Sequence, residues 1–208
     1  MNDALRTTLL GAVSRPARPS SDYDLNSAYT PPADRSLRQA AVLVPVIQRA
    51  GVSSIILTKR APPLKHHPGQ IAFPGGKVDA ADASITDAAL REAKEEIGLR
   101  FEDVEVLGQM PHHETVTGFV ATPVVALVGS SFRPEIDRAE VDEVFEVPLG
   151  HLMDTRKYSI QSRLWRGQRR AYFTVPWGPY YIWGATARIL RALADLVSDE
   201  ENNGRVAD

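Results

Sequence analysis

The segment that most constrains this chain is a glycine turn followed at once by an acidic helix: Phe73-Pro74-Gly75-Gly76, then a helical stretch near 84–97 that closes in ALREAKEEIGL. Ser84 is placed to cap that helix with Asp87 three positions on, a capping-box variant, and Gly98 offers a stop. At about 100° per residue, Glu95 and Glu96 fall about 60° and about 40° to either side of Glu92, so the three carboxylates share one face. Leu90, Ala93 and Ile97 lie about 100–160° away and aim at a core. Like charges four residues apart cost about a few tenths of a kcal/mol, and a helix shaped for stability alone would alternate them with Lys. The repulsion makes sense if a hard divalent cation sits among the carboxylates, since Mg²⁺ prefers carboxylate and water oxygens. A solvated charged face is the competing reading. The glycines weigh against it, because they let the backbone pass close to the acidic face, where the Gly76 carbonyl could join a metal shell.

Composition narrows the rest. With 208 residues, 43% of them hydrophobic and 24% charged, the chain suits one domain with a sizeable core. The absence of Cys excludes disulfides, thiol catalysis and every cysteine-based metal site. A net charge of −2 argues against a nucleic-acid-coating protein. No apolar run approaches the roughly 20 residues of a membrane-spanning helix, and MNDALRTTLLGAV is a poor signal peptide, so a cytoplasmic address is expected.

Along the chain, residues 4–13 have helical spacing, followed by a Pro-, Ser- and Asp-rich arm. Residues 40–47 and 53–60 read as a hairpin, 104–110 and 119–128 as strands, and 141–149 as a strand running into a helical turn. SIQSRLW and RAYFTV read as another hairpin, 182–197 as a terminal helix, and DEENNGRVAD as a frayed tail. The expected division is a helix and arm over 1–36, a catalytic domain over 37–198 and a polar tail over 199–208. Strands and helices mix without regular βαβ alternation, which favours an α+β, α/β/α sandwich around a mixed sheet over a Rossmann or barrel fold.

ALREAKEEIGL behind FPGG resembles the Nudix box, G-x5-E-x7-R-E-U-x-E-E-x-G-U. Arg91, Glu92, Glu95, Glu96, Gly98 and Leu99 match it in place. Asp82 stands at the pattern's first Glu, and the span from Gly76 to Arg91 is one residue longer than the pattern. The resemblance implies a Nudix sandwich that hydrolyses a nucleoside diphosphate derivative using Mg²⁺ or Mn²⁺. The flank is similar to the coenzyme A diphosphatase branch through Leu57, Thr58, Arg60, Leu64, His67, Gly69, Phe73 to Gly76, and Asp79. TVTGFVATPVVA, EVDEVFEVPL and YIWGATARIL also resemble that branch, which implies cleavage of CoA to 3′,5′-ADP and 4′-phosphopantetheine. Free CoA, oxidised CoA and acyl-CoA stay open as substrates. So do other nucleoside diphosphates such as ADP-ribose, and a non-catalytic binding module. Nudix domains often dimerise, and the N-terminal arm could take part in a homodimer.

Glu92 and Glu96 are the first-choice metal ligands, with Glu95 as a partner or third ligand and Gly76 as a weaker candidate. The resemblance implies that Arg91 braces a glutamate. Glu140 fits the branch pattern and is a candidate general base, against the reading of a solvated acid. Arg60 is the leading candidate for the 3′-phosphate, followed by His67, with Gly75, Gly76 and Thr117 expected to border the substrate. Lys65 and His66 read better as loop decoration. The pair His112-His113 is expected on a surface loop, since adjacent strand residues face opposite ways and cannot easily share an ion. Trp183 reads as core rather than ligand stacking.

Overall fold

The computed structural model describes residues 3–26, 35–62, 69–165 and 167–204. In chain order the elements are α1 (Asp3–Ser14), β1 (Ser20–Ser21), β2 (Arg38–Arg49), β3 (Val52–Arg60), β4 (Ile71–Ala72), β5 (Gly75–Lys77) and α2 (Ile85–Ile97). Then follow β6 (Val104–Gln109), β7 (His113–Glu114), β8 (Phe119–Val128), β9 (Val141–Pro148), α3 (Leu149–Met153), β10 (Ser159–Trp165), β11 (Gln168–Thr174) and α4 (Gly184–Gly204).

The central strands carry apolar side chains on both faces, and the structure covers both. Along β2, Leu43 and Ile47 turn toward Ala89, Ala93 and Ile97 of α2. Val44 and Val46 turn the other way, toward Leu9 of α1 and Leu190 and Leu193 of α4. Strand β8 divides in the same manner, with Val124 and Ala126 on the α2 side and Val125 and Leu127 opposite. The outcome is the expected α/β/α sandwich around a mixed sheet: β2 runs parallel to β8 and antiparallel to β3.

One edge of β2 changes partner along its length. Ala40–Val42 pair with β5, whereas Val46–Arg49 pair with β3. Pro45, which has no N–H to donate, falls at the change. This fork seats the glycine turn against the middle of the sheet.

Two elements differ from the sequence reading. Helix α4 extends past 197 to Gly204, through residues expected as tail, because no breaker interrupts it before that glycine. The arm is also anchored: β1 pairs in parallel with β7, and Leu9 and Ala12 of α1 are fully buried.

Candidate active site

Helix α2 begins as its sequence dictates. The Ser84 hydroxyl oxygen accepts from the Asp87 N–H, and Gly98 ends the helix at φ 70°, donating its N–H to Ala93 and Lys94. The carboxylates on its face then sort by depth. Glu96 is 3% exposed and accepts from the Gly75 N–H at 3.1 Å. Its pKa is pushed up to about 8, first by burial, against the Gly75 hydrogen bond and the Arg60 charge, and with help from Glu92 and Glu140. Glu92 is also raised by burial, with Arg91 opposing and Glu95 and Glu140 adding repulsion. Glu95 is turned outward, 57% exposed, and paired to Arg91 at 3.0 Å.

Both glycines are required by close approach. A Cβ on Gly76 would stand 2.5 Å from the Glu92 carboxyl carbon. At Gly75 it would stand 2.4 Å from the Ala41 carbonyl oxygen, on a backbone with φ 153°.

Arg91 is the hub of the acidic face. Its Nε and Nη2 donate to the two oxygens of Asp82 at 2.9 and 3.1 Å, and its Nη1 donates to Glu92 and Glu95 at 3.0 Å each. A further bond from Nη2 reaches the Lys77 carbonyl at 3.1 Å. Asp82 therefore clamps the arginine from the longer loop, and Arg91 in turn holds its pKa down.

The remaining sequence candidates separate. Glu140 is exposed on the loop before β9, yet its charge reaches both Glu92 and Glu96. Arg60, half-buried at the end of β3, lies close enough to stabilise the Glu96 charge. Its neighbour Lys59 is committed to Asp142 at 2.8 Å. Thr117 is exposed in the turn before β8, its hydroxyl 3.0 Å from that of Thr115. His67, with Leu64, Lys65 and His66, lies outside the described residues.

Two expectations fail. His113 is fully buried rather than on a surface loop, 3.0 Å from Ser20 Oγ through Nδ1 and 3.1 Å from Asp22 Oδ1 through Nε2. Pairing of the arm with β7 seals it in; His112 stays exposed. Trp183 is half-buried rather than core, because it lines an open cleft beside Tyr172 and Arg163. That cleft was not foreseen, nor was the Asp82 clamp, although its Asp was visible in the sequence.

Comparison with known proteins is decisive for the family. The NUDIX domain model matches residues 37–166. This chain belongs to the Nudix family. It is 43% identical over 157 residues to the Nudix hydrolase NudL of Citrobacter koseri, itself described as uncharacterized, covering 76% of this chain and 81% of that one. NudL of an Enterobacter species matches to the same extent, also 43% over 157 residues. Among solved structures, a MutT/nudix family protein from Enterococcus faecalis superposes with a TM-score of 0.50 at 17% identity, covering 83% of this chain and 66% of that chain, a likeness of fold.

The chain is thus a Nudix hydrolase, an enzyme for small nucleoside diphosphate derivatives, and Nudix hydrolases generally use divalent metal ions. The donor set suits such an ion: Glu92 and Glu96 supply hard oxygens, and the Arg60 charge and the Gly75 N–H do not outweigh the desolvation of Glu96, whose pKa stays raised. Among the described residues no three acidic or histidine side chains are already gathered as a cage, because Arg91 draws Glu95 aside. No helix among them is long and apolar enough to cross a membrane.

Proposed function

We propose that this Nudix hydrolase cleaves the diphosphate of coenzyme A or a close derivative, giving 3′,5′-ADP and 4′-phosphopantetheine or its acyl form. One observation carries the reading: the CoA-type flank, Leu57-Thr58 to Arg60 and on to Phe73-Pro74-Gly75-Gly76, ends in a turn packed against the buried Glu96 and the half-buried Glu92. Glu92 and Glu96, with Glu95 and the Gly76 carbonyl as further candidates, would hold Mg²⁺ or Mn²⁺. Such an ion offsets charge on the diphosphate and lowers the pKa of bound water.

Hydrolysis needs a water to attack one phosphorus in line while the P–O bond to the bridging oxygen breaks. Glu140 is exposed and its charge acts on both glutamates, and we assign it the role of accepting the proton of that water. Arg91 orients Glu92 and Glu95 rather than meeting substrate, since its N–H groups are spent on Asp82, the two glutamates and Lys77. We assign Arg60, whose charge acts on Glu96, to the substrate diphosphate.

The test is release of 4′-phosphopantetheine from CoA with Mg²⁺ or Mn²⁺, in parallel with dephospho-CoA and ADP-ribose. We expect CoA to be preferred, with activity lost in chelator and restored by metal. Arg60→Ala should lower kcat/KM on CoA and dephospho-CoA alike. Preference for ADP-ribose, or no turnover of CoA with metal present, overturns the reading.

A further inference from the structure

The glycine turn at Glu92 and Glu96 lies between two very short strands, β4 of two residues and β5 of three. Strands of that length have few ladder bonds, so their place depends on contacts from elsewhere. From the sheet, the Thr58 hydroxyl donates to the Ala72 carbonyl at 3.2 Å, and the Leu43 N–H donates to the Pro74 carbonyl at 2.8 Å. From α2, Glu96 accepts the Gly75 N–H and Arg91 holds the Lys77 carbonyl. One more contact comes from the opposite layer. The hydroxyl of Thr186, in the first turn of α4, donates to the Ile71 carbonyl at 3.0 Å.

The sheet geometry explains why Ile71 needs that donor. The Arg60 N–H donates to the Gln70 carbonyl at 3.0 Å. Backbone groups alternate along an antiparallel pair, so at the next pair, Lys59–Ile71, the Ile71 carbonyl turns away from β3, toward α4. A carbonyl buried there without a partner bears the full cost of desolvation. Thr hydroxyls within helices commonly bond back to their own helix, whereas this buried one reaches across the layers.

The bond would do no more than satisfy a carbonyl if β4 led nowhere. Four residues on, it leads to the amide that meets Glu96. Little slack lies between: Ile71 and Phe73 are buried in one cluster with Ala187 and Leu190 of α4, and Pro74 has a fixed φ. A shift at Ile71 is therefore passed on to Gly75.

Resting on the reading of Glu96 as a ligand of the catalytic metal, we infer that Thr186 is a positioning residue. Its hydroxyl fixes the start of the glycine turn, so that Gly75 donates to Glu96 and holds that carboxylate in place. Helix α4 thus sets the geometry of a glutamate that α2 carries.

Amide exchange followed by NMR in chelator reads the Gly75 N–H directly. In Thr186→Val, which keeps the shape and removes the donor, Gly75 should exchange about tenfold faster than in wild type. The Val46 amide, in the middle of β2, should not change. With Mn²⁺ as the probe, Kd should rise about tenfold in Thr186→Val. Turnover is measured on whichever of CoA, dephospho-CoA and ADP-ribose the wild type cleaves fastest. There kcat should fall about tenfold with KM little changed, because a displaced carboxylate misplaces the reacting groups and leaves the substrate's own contacts alone. Thr186→Ser keeps the hydroxyl and should restore all three quantities. Leu193→Ala, buried two turns further along α4, should lower the melting temperature without these changes, which separates lost stability from lost position. Unchanged Gly75 exchange in Thr186→Val overturns the inference. So does faster exchange with Mn²⁺ affinity and kcat both intact, or a Ser variant that behaves like the Val variant. If Glu96→Gln binds Mn²⁺ as wild type does, the ligand reading of Glu96 falls, and Thr186 is judged by exchange and turnover. If none of the three substrates is cleaved, exchange and Mn²⁺ affinity decide.

Discussion

Two regions of this molecule place like charges side by side, and they do so in opposite environments. On α2, Glu92 and Glu96 sit one helical turn apart in a desolvated crevice, with Arg91 drawing on one and the Gly75 N–H on the other. On the β10–β11 hairpin, Arg163 and Arg170 face each other across the strands, Arg163 exposed and Arg170 half-buried. A buried carboxylate can relieve repulsion by taking up a proton, and Glu96 is shifted in that direction. A guanidinium cannot, because it stays charged throughout the accessible pH range, so its relief must come from spreading into water or from a bound anion. The acidic pair is therefore a site whose charge depends on what binds there, and the basic pair keeps its charge whatever the pH.

The largest way to probe that contrast is Glu96→Gln. It keeps shape and removes the charge that a metal would meet, so turnover with Mg²⁺ should drop by on the order of 10²–10³-fold. In chelator the same variant should be at least as stable as wild type, since it removes a buried, self-repelling carboxylate. Near-normal turnover would remove Glu96 from the ligand set.

A smaller loss is expected from Gly76→Ala. The new methyl would press on the Glu92 carboxyl group from 2.5 Å, and a displacement of about 1 Å at such a site costs about a hundredfold. We expect a loss of about 10- to 100-fold in kcat/KM with the fold retained by circular dichroism. Wild-type activity would mean that Glu92 can move without consequence.

The smallest effect is on stability against pH. The folded pKa of Glu96 is raised to about 8 from an ordinary value of 4.5, so the folded state holds this proton more tightly than the unfolded chain does. Its contribution is full below 4.5 and lost as pH rises through about 8. In chelator, the melting temperature of wild type should therefore decline across that window more steeply than that of Glu96→Gln, and added Mg²⁺ should flatten the difference. Parallel curves for the two proteins would show that Glu96 is not held neutral by burial.

The acidic region was legible because its geometry is local. The Ser84 cap, the Gly98 stop and the shared face of Glu92 and Glu96 follow from helical periodicity over a short stretch, and the structure reproduces each of them. The depth of each carboxylate was not legible, because periodicity fixes an azimuth but says nothing of what packs above it. Glu95 shares the face with Glu96 yet turns out to Arg91, whereas Glu96 goes under the glycine turn.

Taken by itself, the sequence determined the long strands and helices, the family and the acidic face, since these rest on residue type at fixed spacing within a segment, whereas the short strands β1, β4, β5 and β7 exist only through their pairing. Only the tertiary structure decided that His113 is sealed by Ser20 and Asp22, from 93 and 91 residues away in the chain. It alone brought Asn26 to Ala171, at a separation of 145 residues, and with it closed one wall of the cleft beside Trp183. No local pattern records such contacts: they form when the arm and hairpin meet through hydrogen bonds and buried surface that belong to neither segment alone.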